Sequence, residues 1–481
     1  MKRTILATVT MAVVALAIVP AGAAAAKPSV GSSGGFPSES ARLSAGLSAA
    51  ASTAGLDHLV DFDNRINGIA QSAAHLPNVD VAVIELDRNG HVVGAANVLY
   101  DRDSPQGFRV PIDRQTLSAQ GVQFSRWRLA RWDDQAQWDA GPAPEDILVD
   151  PTGAPKKYMV TYPASVLKVM VGYSILRLVD QGKLKMSSVI RYHDVAGGSC
   201  DYGPSNPTGI TPPPVADGAT DTLAGWFDQM VTVSDNFATC TLLQVLSDQG
   251  AIASSNVHFK SLGLNTLRML PSRPLVGSGW SSGTMTMGAL DTARLMLIVN
   301  GGSGTLWRNG KRDVTANELS PASRRYFRSV LAQQSFNEVL NPVNLCGSTD
   351  AAQGIPSTVP NRWVDPITGH VVTYDGDLPI DFGYDVRPCV AAAQVTFAHK
   401  TGLTYNAGSD TGIVRALPGQ DGRWYIVAMQ SDIGNRFGDA DWAASDPNAC
   451  EGAPFVCYPR GLGRLGKAID DLVVARPKAV R

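Results

Sequence analysis

The sequence has few charged residues and no excess of either sign. Its 481 residues contain 41 Lys and Arg against 43 Asp and Glu, a formal net charge of −2, and only 17% of positions are charged. Nucleic-acid-binding domains usually carry a basic excess or a basic stripe, so we expect no nucleic-acid partner. Hydrophobic residues make up 44% of the chain, which is typical of a soluble globular protein.

The closely spaced residue pairs of metal sites are absent as well. No two of the six cysteines are separated by only two residues, and no two of the seven histidines lie one helical turn apart. Structural zinc sites depend on such spacings, so we expect no metal and no cofactor. Six cysteines are compatible with disulfides in an exported chain, although the sequence allows many pairings. We favour pairing of neighbours along the chain: Cys200 with Cys240, Cys346 with Cys389, and Cys450 with Cys457.

Only one long apolar run occurs, and it lies at the N-terminus. Lys2 and Arg3 precede it, residues 4–19 are almost continuously apolar, and residues 21–26 are small. This layout predicts a cleavable signal peptide over residues 1–26; the alternative is an uncleaved anchor, for which the apolar core is short. No later stretch reaches the roughly 18 uninterrupted apolar residues of a spanning helix. We therefore expect a secreted protein, extracellular or periplasmic, without stable membrane insertion.

Composition divides the remaining chain into a lead and one domain. Residues 27–55 are rich in Ser, Gly and Ala and predict a flexible lead, partly helical near its end. Residues 56–481 predict one domain with insertions at about residues 101–158 and 341–390. The first insertion contains three tryptophans, which either form a carbohydrate platform or, as we prefer, pack beneath a loop. They are Trp127, Trp132 and Trp138.

Both ends of this domain predict strands, and its middle predicts helices. Residues 79–86 alternate like a strand, residues 87–90 form a tight turn because Asn and Gly tolerate positive φ, and residues 91–100 return. The ends should join in one antiparallel sheet with the helices beside it, which is an α+β fold. Further strands are predicted at 395–401, 412–417 and 424–431, and helices at 56–74, 163–184, 223–246 with a break at 233–236, 284–300, 320–340 and 463–474.

Three short motifs occur in order along the chain. They are Ser165-Val166-Leu167-Lys168, Ser234-Asp235-Asn236 and Lys400-Thr401-Gly402. Taken alone each is weakly specific, and Ser-Asp-Asn is also well suited to a plain helix cap. Together they form the motif set of active-site-serine enzymes that act by acyl transfer.

The first motif has the layout of a nucleophile and its base. Ser165 and Lys168 lie one turn apart at the start of an apolar helix, so their side chains face the same side. A serine hydroxyl is a weak nucleophile and needs a base within hydrogen-bond reach. A lysine can serve if its pKa falls toward neutrality, which burial and a nearby cation such as Lys400 can cause. We predict these roles, the plain alternative being a helix cap and a surface lysine.

The three motifs resemble those of class A β-lactamases and penicillin-binding proteins, over roughly residues 56–100, 158–340 and 390–475. The resemblance implies a three-layer αβα sandwich and an acyl-serine intermediate. It implies that Ser234 relays a proton toward the leaving nitrogen and that Lys400 attracts a substrate carboxylate. It also implies substrate-binding roles for Asn236, Thr401, Gly402 and Leu403, the amide of Leu403 forming an oxyanion hole with that of Ser165. We expect a structural role for Asp235 and assign none to His399.

One departure from the family pattern concerns deacylation. Class A β-lactamases carry a glutamate on a loop between the second and third motifs, where it activates water. The corresponding stretch here, residues 264–286, contains no Asp or Glu. The next carboxylate, Asp291, lies on a predicted helix and is not a convincing substitute. We therefore expect deacylation through another base, such as Lys168, or slow deacylation.

Three functions are consistent with these motifs. The first is hydrolysis of β-lactams through an acyl-serine intermediate. The second is cleavage or transfer of cell-wall peptides ending in D-Ala-D-Ala, as in penicillin-binding proteins. The third is a binding protein that keeps the pocket without turnover. The expected partner is a small-molecule β-lactam or a peptidoglycan peptide, and the sequence assigns no oligomeric state.

Overall fold

The computed structural model of the protein describes residues 35–56, 59–61, 77–193, 218–269, 283–348, 352–375, 378–404, 407–420, 422–434, 437–439 and 459–476. None of the helices in these ranges is both long enough and apolar enough to cross a membrane.

The helices and strands follow one another in mixed order along the chain. The helices are α1 (Gly35–Ala54), α2 (Leu129–Asp133), α3 (Gln135–Ala140), α4 (Leu167–Asp180), α5 (Leu223–Thr232), α6 (Asn236–Asp248), α7 (Ala251–Ser261), α8 (Ala289–Asn300), α9 (Pro321–Leu331), α10 (Arg387–Ala391) and α11 (Pro459–Val474). The strands are β1 (Leu59–Asp61), β2 (Val79–Leu86), β3 (Val92–Asp101), β4 (Ser104–Arg109), β5 (Val122–Ser125), β6 (Ile147–Val149), β7 (Lys156–Met159), β8 (Val189–Arg191), β9 (Thr220–Thr222), β10 (Arg268–Met269), β11 (Met285–Thr286), β12 (Thr305–Asn309), β13 (Arg312–Thr315), β14 (His370–Asp375), β15 (Leu378–Asp385), β16 (Val395–Thr404), β17 (Ala407–Ala416), β18 (Trp424–Ser431) and β19 (Phe437–Asp439).

A six-stranded antiparallel sheet joins the two ends of the domain, in the order β16-β17-β18-β2-β3-β4. All of β2 is buried because helices cover both faces of the sheet. Ala82 and Ile84 pack into the apolar cluster that contains α4 and α8. The alternate residues Val81 and Val83 pack into a second cluster with α1 and α11. These three layers confirm the predicted α+β, αβα architecture.

The lead predicted to be flexible is in part a docked helix. Residues 35–54 form α1, with Pro37 in its first turn, where a missing N–H costs nothing. Leu43 and Leu47 are fully buried in the cluster shared with α11. The predicted helical part near the end of the lead is confirmed by α1, whereas the predicted flexibility is wrong for residues 35–54, since one face of this Ser- and Ala-rich segment is apolar and buried.

The helix predicted over residues 56–74 is wrong where the structure describes this stretch. Residues 59–61 form β1, which pairs antiparallel with β19. The remainder of the predicted helix, from residue 62, lies outside the described residues. Helical spacing of Leu59, Val60 and later apolar residues had suggested the helix, but a short apolar run fits a strand equally well.

The first predicted insertion is partly integral to the central sheet. β4 pairs with β3 at the sheet edge, with Phe108 opposite Leu99, and β6, β5 and β7 form a small sheet of their own. The three tryptophans of this region pack on one another, with ring centroids 5.7 and 6.0 Å apart, and none is more than 5% exposed. The three tryptophans therefore pack in the interior and do not form a carbohydrate platform.

The second predicted insertion contains a hairpin and a disulfide. β14 pairs antiparallel with β15, and Cys346 is bonded to Cys389, as predicted. Cys240 is also disulfide-bonded. The remaining cysteines, Cys200, Cys450 and Cys457, lie outside the described residues.

Candidate active site

Ser165 lies in a tight turn directly before α4, and not within the helix itself. Residues 164–166 form a 3₁₀ turn, and the preceding Ala164 has a left-handed φ of 45°, which is unfavourable for a residue with a Cβ. Ser165 is half-buried, whereas Lys168, in the first turn of α4, is fully buried. The hydroxyl is thus more accessible than the amine beneath it.

The Lys168 amine is surrounded by oxygen atoms from the first two motifs. Its Nζ lies 2.9 Å from Ser165 Oγ, 3.0 Å from Ser234 Oγ, 2.5 Å from the Ser234 carbonyl oxygen and 2.8 Å from Asn236 Oδ1. A protonated amine has only three donors, so these four neutral oxygens cannot all receive a full hydrogen bond. A surface lysine, which was the plain alternative for Lys168, is excluded by this burial.

Ser234 reaches Lys168 because the backbone turns sharply between α5 and α6. Its φ is 59°, again in the left-handed region, so that its carbonyl and its hydroxyl both point to the same amine. Asp235 caps α6, accepting a hydrogen bond from the amide of Ala238 at 2.5 Å. The structural role expected for Asp235 is confirmed, and the cap fixes the turn that presents Ser234 and Asn236.

Lys400 approaches Ser234 from the central sheet. Its Nζ donates to Ser234 Oγ at 2.9 Å and to the Thr401 carbonyl at 2.8 Å. The strand predicted at 395–401 is longer than expected, since β16 continues to Thr404 in pairing with β17. Burial, followed by repulsion from Lys168, lowers the pKa of Lys400 well below its usual range, while Asp410 and Glu338 act in the opposite direction.

Glycine at position 402 lets the sheet touch the turn that carries the nucleophile. A Cβ at Gly402 would lie 2.6 Å from the Ser165 amide nitrogen and 2.7 Å from the Pro163 carbonyl oxygen, closer than such contacts can be. Leu403 follows on the same strand, opposite Gly408. The structure therefore brings the third motif against the first. The binding roles of Thr401, Gly402 and Leu403 stay predictions.

A polar group behind Lys400 was not predicted. His399 Nδ1 lies 2.8 Å from Asp410 Oδ1, and His399 Nε2 lies 3.0 Å from Asn337 Oδ1. Glu338 follows Asn337 and is 1% exposed, and among the described residues neither carboxyl oxygen has a hydrogen-bond partner. The one available signal was compositional: Glu338 is the only charged residue in the stretch 332–345, which was predicted to be helical as far as residue 340.

The segment in which the family carries its deacylating glutamate is only partly described. Residues 270–282 lie outside the described residues. Asp291, the next carboxylate, accepts from the Thr266 amide and hydroxyl and pairs with Arg294 at 2.7 Å. These contacts give Asp291 a structural role in α8, in line with its rejection as a substitute. In the ranges that the structure describes, no cluster of three or more His, Cys, Asp or Glu side chains could hold a metal ion.

Comparison with known proteins identifies a family over part of the chain. Residues 157–353 match the model of the Beta-lactamase enzyme family, Beta-lactamase2, a span that includes the first two motifs. No curated protein matches the chain. Over this part of the chain, the family match agrees with the resemblance to β-lactamases that the motifs indicated.

Three solved structures illustrate what the whole chain is similar to. A mutant of PBP-A, described as an acyl-enzyme complex with penicillin G, is 14% identical, with 90% of this chain and 96% of that chain covered and a TM-score of 0.41. A class A β-lactamase representative from Bacteroides cellulosilyticus is 15% identical, with 86% and 96% covered and a TM-score of 0.41. A β-lactamase from Sphaerobacter thermophilus is 14% identical, with 90% and 98% covered and a TM-score of 0.40. These identities and TM-scores are low, so no role is assigned to this chain from these structures.

Proposed function

We propose that this chain, whose residues 157–353 match the β-lactamase family, is an exported serine hydrolase that opens β-lactam or related amide bonds through an acyl-Ser165 intermediate. The observation that carries the proposal is the convergence of two hydroxyls and two buried amines: Ser165, Lys168, Ser234 and Lys400 are linked by contacts of 2.9 to 3.0 Å. Burying two amines in one cluster is unfavourable for folding. The cluster places a base within hydrogen-bond reach of the Ser165 hydroxyl, as an activated serine requires.

The geometry supports a complete proton path for acylation. With Lys168 neutral, the Ser165 hydroxyl can donate its proton to Nζ while Oγ attacks the carbonyl carbon of the substrate. As the carbon–nitrogen bond breaks, Ser234 passes a proton to the leaving nitrogen and recovers one from Lys168. The amides of Ser165 and Leu403 are proposed to hold the oxyanion, a contribution worth about 3 kcal/mol for one donor.

Deacylation is proposed to be slow. Water must add to the acyl-serine ester, release the acid and return the proton to Ser165. Residues 264–286 contain no Asp or Glu to activate that water, so the base would again be Lys168. This point favours a second candidate, a D-Ala-D-Ala-type peptidase of penicillin-binding character, in which β-lactams remain bound as stable adducts. The third candidate, a binding protein without turnover, predicts that Ser165→Ala leaves the biological role intact.

One experiment separates these candidates. The purified mature protein is incubated with a chromogenic cephalosporin and a fluorescent penicillin, and product release and intact mass are followed. Rapid product release indicates a β-lactamase, and a lasting adduct on Ser165 indicates a penicillin-binding protein. Absence of both adduct and product would contradict the proposal.

The matched control lies on the same helix as Lys168. Ser165→Ala should abolish both adduct and product. Ser174→Ala, which removes a buried hydroxyl that has no hydrogen-bond partner in the described part of the chain, should leave both unchanged.

A further inference from the structure

We propose that Ser335 is a positioning residue for the acyl-transfer site, because its hydroxyl holds the backbone turn that presents Ser234 to the two buried lysines. The proposal deepens the proposed function and rests on it. Ser335 acts through the carbonyl of Thr232, two residues before Ser234, and we assign it no contact with the substrate.

The turn that carries Ser234 needs restraint on both of its sides. Ser234 has a φ of 59°, and a residue with a Cβ stays in this region only when its surroundings hold it there. After the turn, Asp235 caps α6 by accepting from the Ala238 amide. Before the turn, α5 ends at Thr232, and the last carbonyls of a helix have no partners within it. A restraint on those carbonyls therefore fixes the turn from its other side.

Residues 334 and 335 supply that restraint. The Ser335 amide and the Ser335 hydroxyl both donate to the Thr232 carbonyl, at 2.9 and 2.8 Å. The side-chain amide of Gln334 donates to the Val231 carbonyl at 3.0 Å. Both side chains are buried, so water does not compete for these carbonyls. The end of α5 is thus held by a segment that lies far along the chain.

The same segment is fastened to the sheet that carries Lys400. The Asn337 side chain donates to the Ser335 carbonyl at 3.4 Å and accepts from His399 Nε2 at 3.0 Å. His399 directly precedes Lys400 on β16, which pairs with β17 over its whole length. The Ser234 turn is therefore held against the sheet that places Lys400. Ser234 Oγ and Lys400 Nζ meet there at 2.9 Å.

The Ser335 hydroxyl is itself oriented by the second insertion. Thr373 Oγ1 on β14 donates to Ser335 Oγ at 2.6 Å, and both side chains are buried. A hydroxyl has a single hydrogen to donate, and with Thr373 as its donor Ser335 directs that hydrogen to the Thr232 carbonyl. A role in positioning differs from a role in folding alone in one respect, which is that its effect on rate requires the Ser234 hydroxyl.

The first test is a double-mutant cycle. Saturation kinetics of acylation by a penicillin, followed by intact mass, are measured for wild type, Ser335→Ala, Ser234→Ala and the double variant. Ser335→Ala should lower the maximal acylation rate about tenfold, less than the roughly 10² that a 1 Å misplacement can cost, and leave the apparent dissociation constant unchanged. In the Ser234→Ala background the same change should cause no further loss, because no Ser234 hydroxyl is left to position.

Two threonine-to-valine changes provide a gentler variant and a control. Thr373→Val keeps the side-chain shape and removes the donor to Ser335 Oγ, so it should cause a smaller loss in the same rate; it decides the question if Ser335→Ala does not fold. Thr241→Val is the matched control. Thr241 is also fully buried, and its hydroxyl donates to the Phe237 carbonyl within α6 at 2.9 Å. This variant should acylate like wild type.

Three results would overturn the proposal. Equal losses with and without the Ser234 hydroxyl would show that Ser335 supports the fold in general. A loss confined to the dissociation constant would place Ser335 in substrate binding. No loss from a folded Ser335→Ala or Thr373→Val variant would show that the Thr232 carbonyl does not need the Ser335 hydroxyl.

A second measurement does not require turnover. Hydrogen–deuterium exchange, followed by mass spectrometry, is compared between peptides covering residues 230–238 and peptides covering α4. The Asp235 amide donates to the Gln229 carbonyl across the turn, so its exchange reports how firmly the turn is held. Ser335→Ala should speed exchange in the turn and not in α4. An equal change in both, or in neither, contradicts this inference, whereas failure of wild type to form adduct or product contradicts only the proposed function.

Discussion

Ser234 Oγ lies between two buried amines, 3.0 Å from Lys168 Nζ and 2.9 Å from Lys400 Nζ. Two ammonium groups so close to one hydroxyl repel each other strongly in a buried site. Burial and repulsion from Lys168 lower the pKa of Lys400 well below its usual range, while Asp410 and Glu338 act in the opposite direction. In the proposed function Lys168 is the neutral amine that accepts the proton, and Lys400 is the amine that binds the substrate carboxylate.

Separate roles for Lys168 and Lys400 predict different kinetic effects when each lysine is replaced. Lys168→Met should lower the maximal acylation rate by about 10² to 10⁴, the usual contribution of a general base, with little change in the apparent dissociation constant. Lys400→Met should mainly weaken binding of a penicillin with a free carboxylate. Saturation kinetics of acylation measure both constants. Equal losses in the maximal rate from both variants would contradict the assignment of separate roles.

The close approach of Gly402 gives a second prediction at this scale. Gly402→Ala places a Cβ 2.6 Å from the Ser165 amide and 2.8 Å from the Val166 amide, so the turn or the strand has to shift. Because positioning errors near 1 Å can cost about 10² in rate, we expect at least that loss in acylation. Gly422→Ala is the control, since no atom of the described residues lies within 4 Å of the added Cβ; it should acylate like wild type.

The motif residues could be predicted from the sequence, but the residues that surround them in the fold could not. The spacing of Ser165 and Lys168 could be taken from the sequence because three residues make one turn. Glu338, His399 and Asp410 come together only through pairing of β16 with β17 and a loop about 60 residues earlier in the chain. No local pattern encodes such contacts, since each depends on tertiary packing.

At the scale of elements, α1 shows how composition can mislead. Its Ser, Gly and Ala content resembles a linker, but Phe36, Leu43 and Leu47 lie on one side of a helix and are buried. Seven- and four-residue spacings of apolar residues are the helical signal, and here they were outweighed by composition. The hairpin β2–β3 was predicted almost to its bounds, because alternation and an Asn-Gly turn are strictly local features.

A core substitution tests whether α1 belongs to the folded domain. Leu47→Ala should lower the free energy of unfolding by about 2 to 5 kcal/mol, as for other fully buried leucines. Ala45→Ser, at an exposed position of the same helix, should change it by less than about 0.5 kcal/mol. Urea unfolding followed by tryptophan fluorescence measures both. If Leu47→Ala unfolds like wild type, α1 does not contribute to stability.

At the scale of the whole molecule, the central sheet depends on a pairing across most of the chain. β18 lies beside β2, with Ile426 opposite Ile84, so neither end of the domain can complete the sheet without the other. This closure was predictable from the order of elements, because strands are predicted at both ends of the domain and helices in its middle. The positions of the two insertions could be predicted from the sequence, but their structures could not. Their short strands pair only with one another or at the edge of the central sheet.

The buried acid near the site also predicts how stability varies with pH. The pKa of Glu338 is raised by burial from 4.5 to about 8, so the folded state binds a proton more tightly than the unfolded state. Stability from this group is therefore present at low pH and is lost as pH rises from about 4.5 to about 8. Asp80, whose pKa burial raises to about 6, acts in the same direction. His258, whose pKa burial lowers to about 3, acts oppositely below about 6.5.

Glu338→Gln isolates one part of this dependence. The amide cannot ionise, so the variant should gain stability relative to wild type as pH rises, by a few kcal/mol between pH 5 and pH 9, at 1.36 kcal/mol per unit of pKa change. Thermal unfolding at both pH values measures the difference, and the comparison between pH values removes any fixed cost of the buried amide. Asp381→Asn, at an exposed position, should show no such trend. A stability difference that does not change with pH would mean that Glu338 keeps an ordinary pKa in the folded protein and would contradict this prediction.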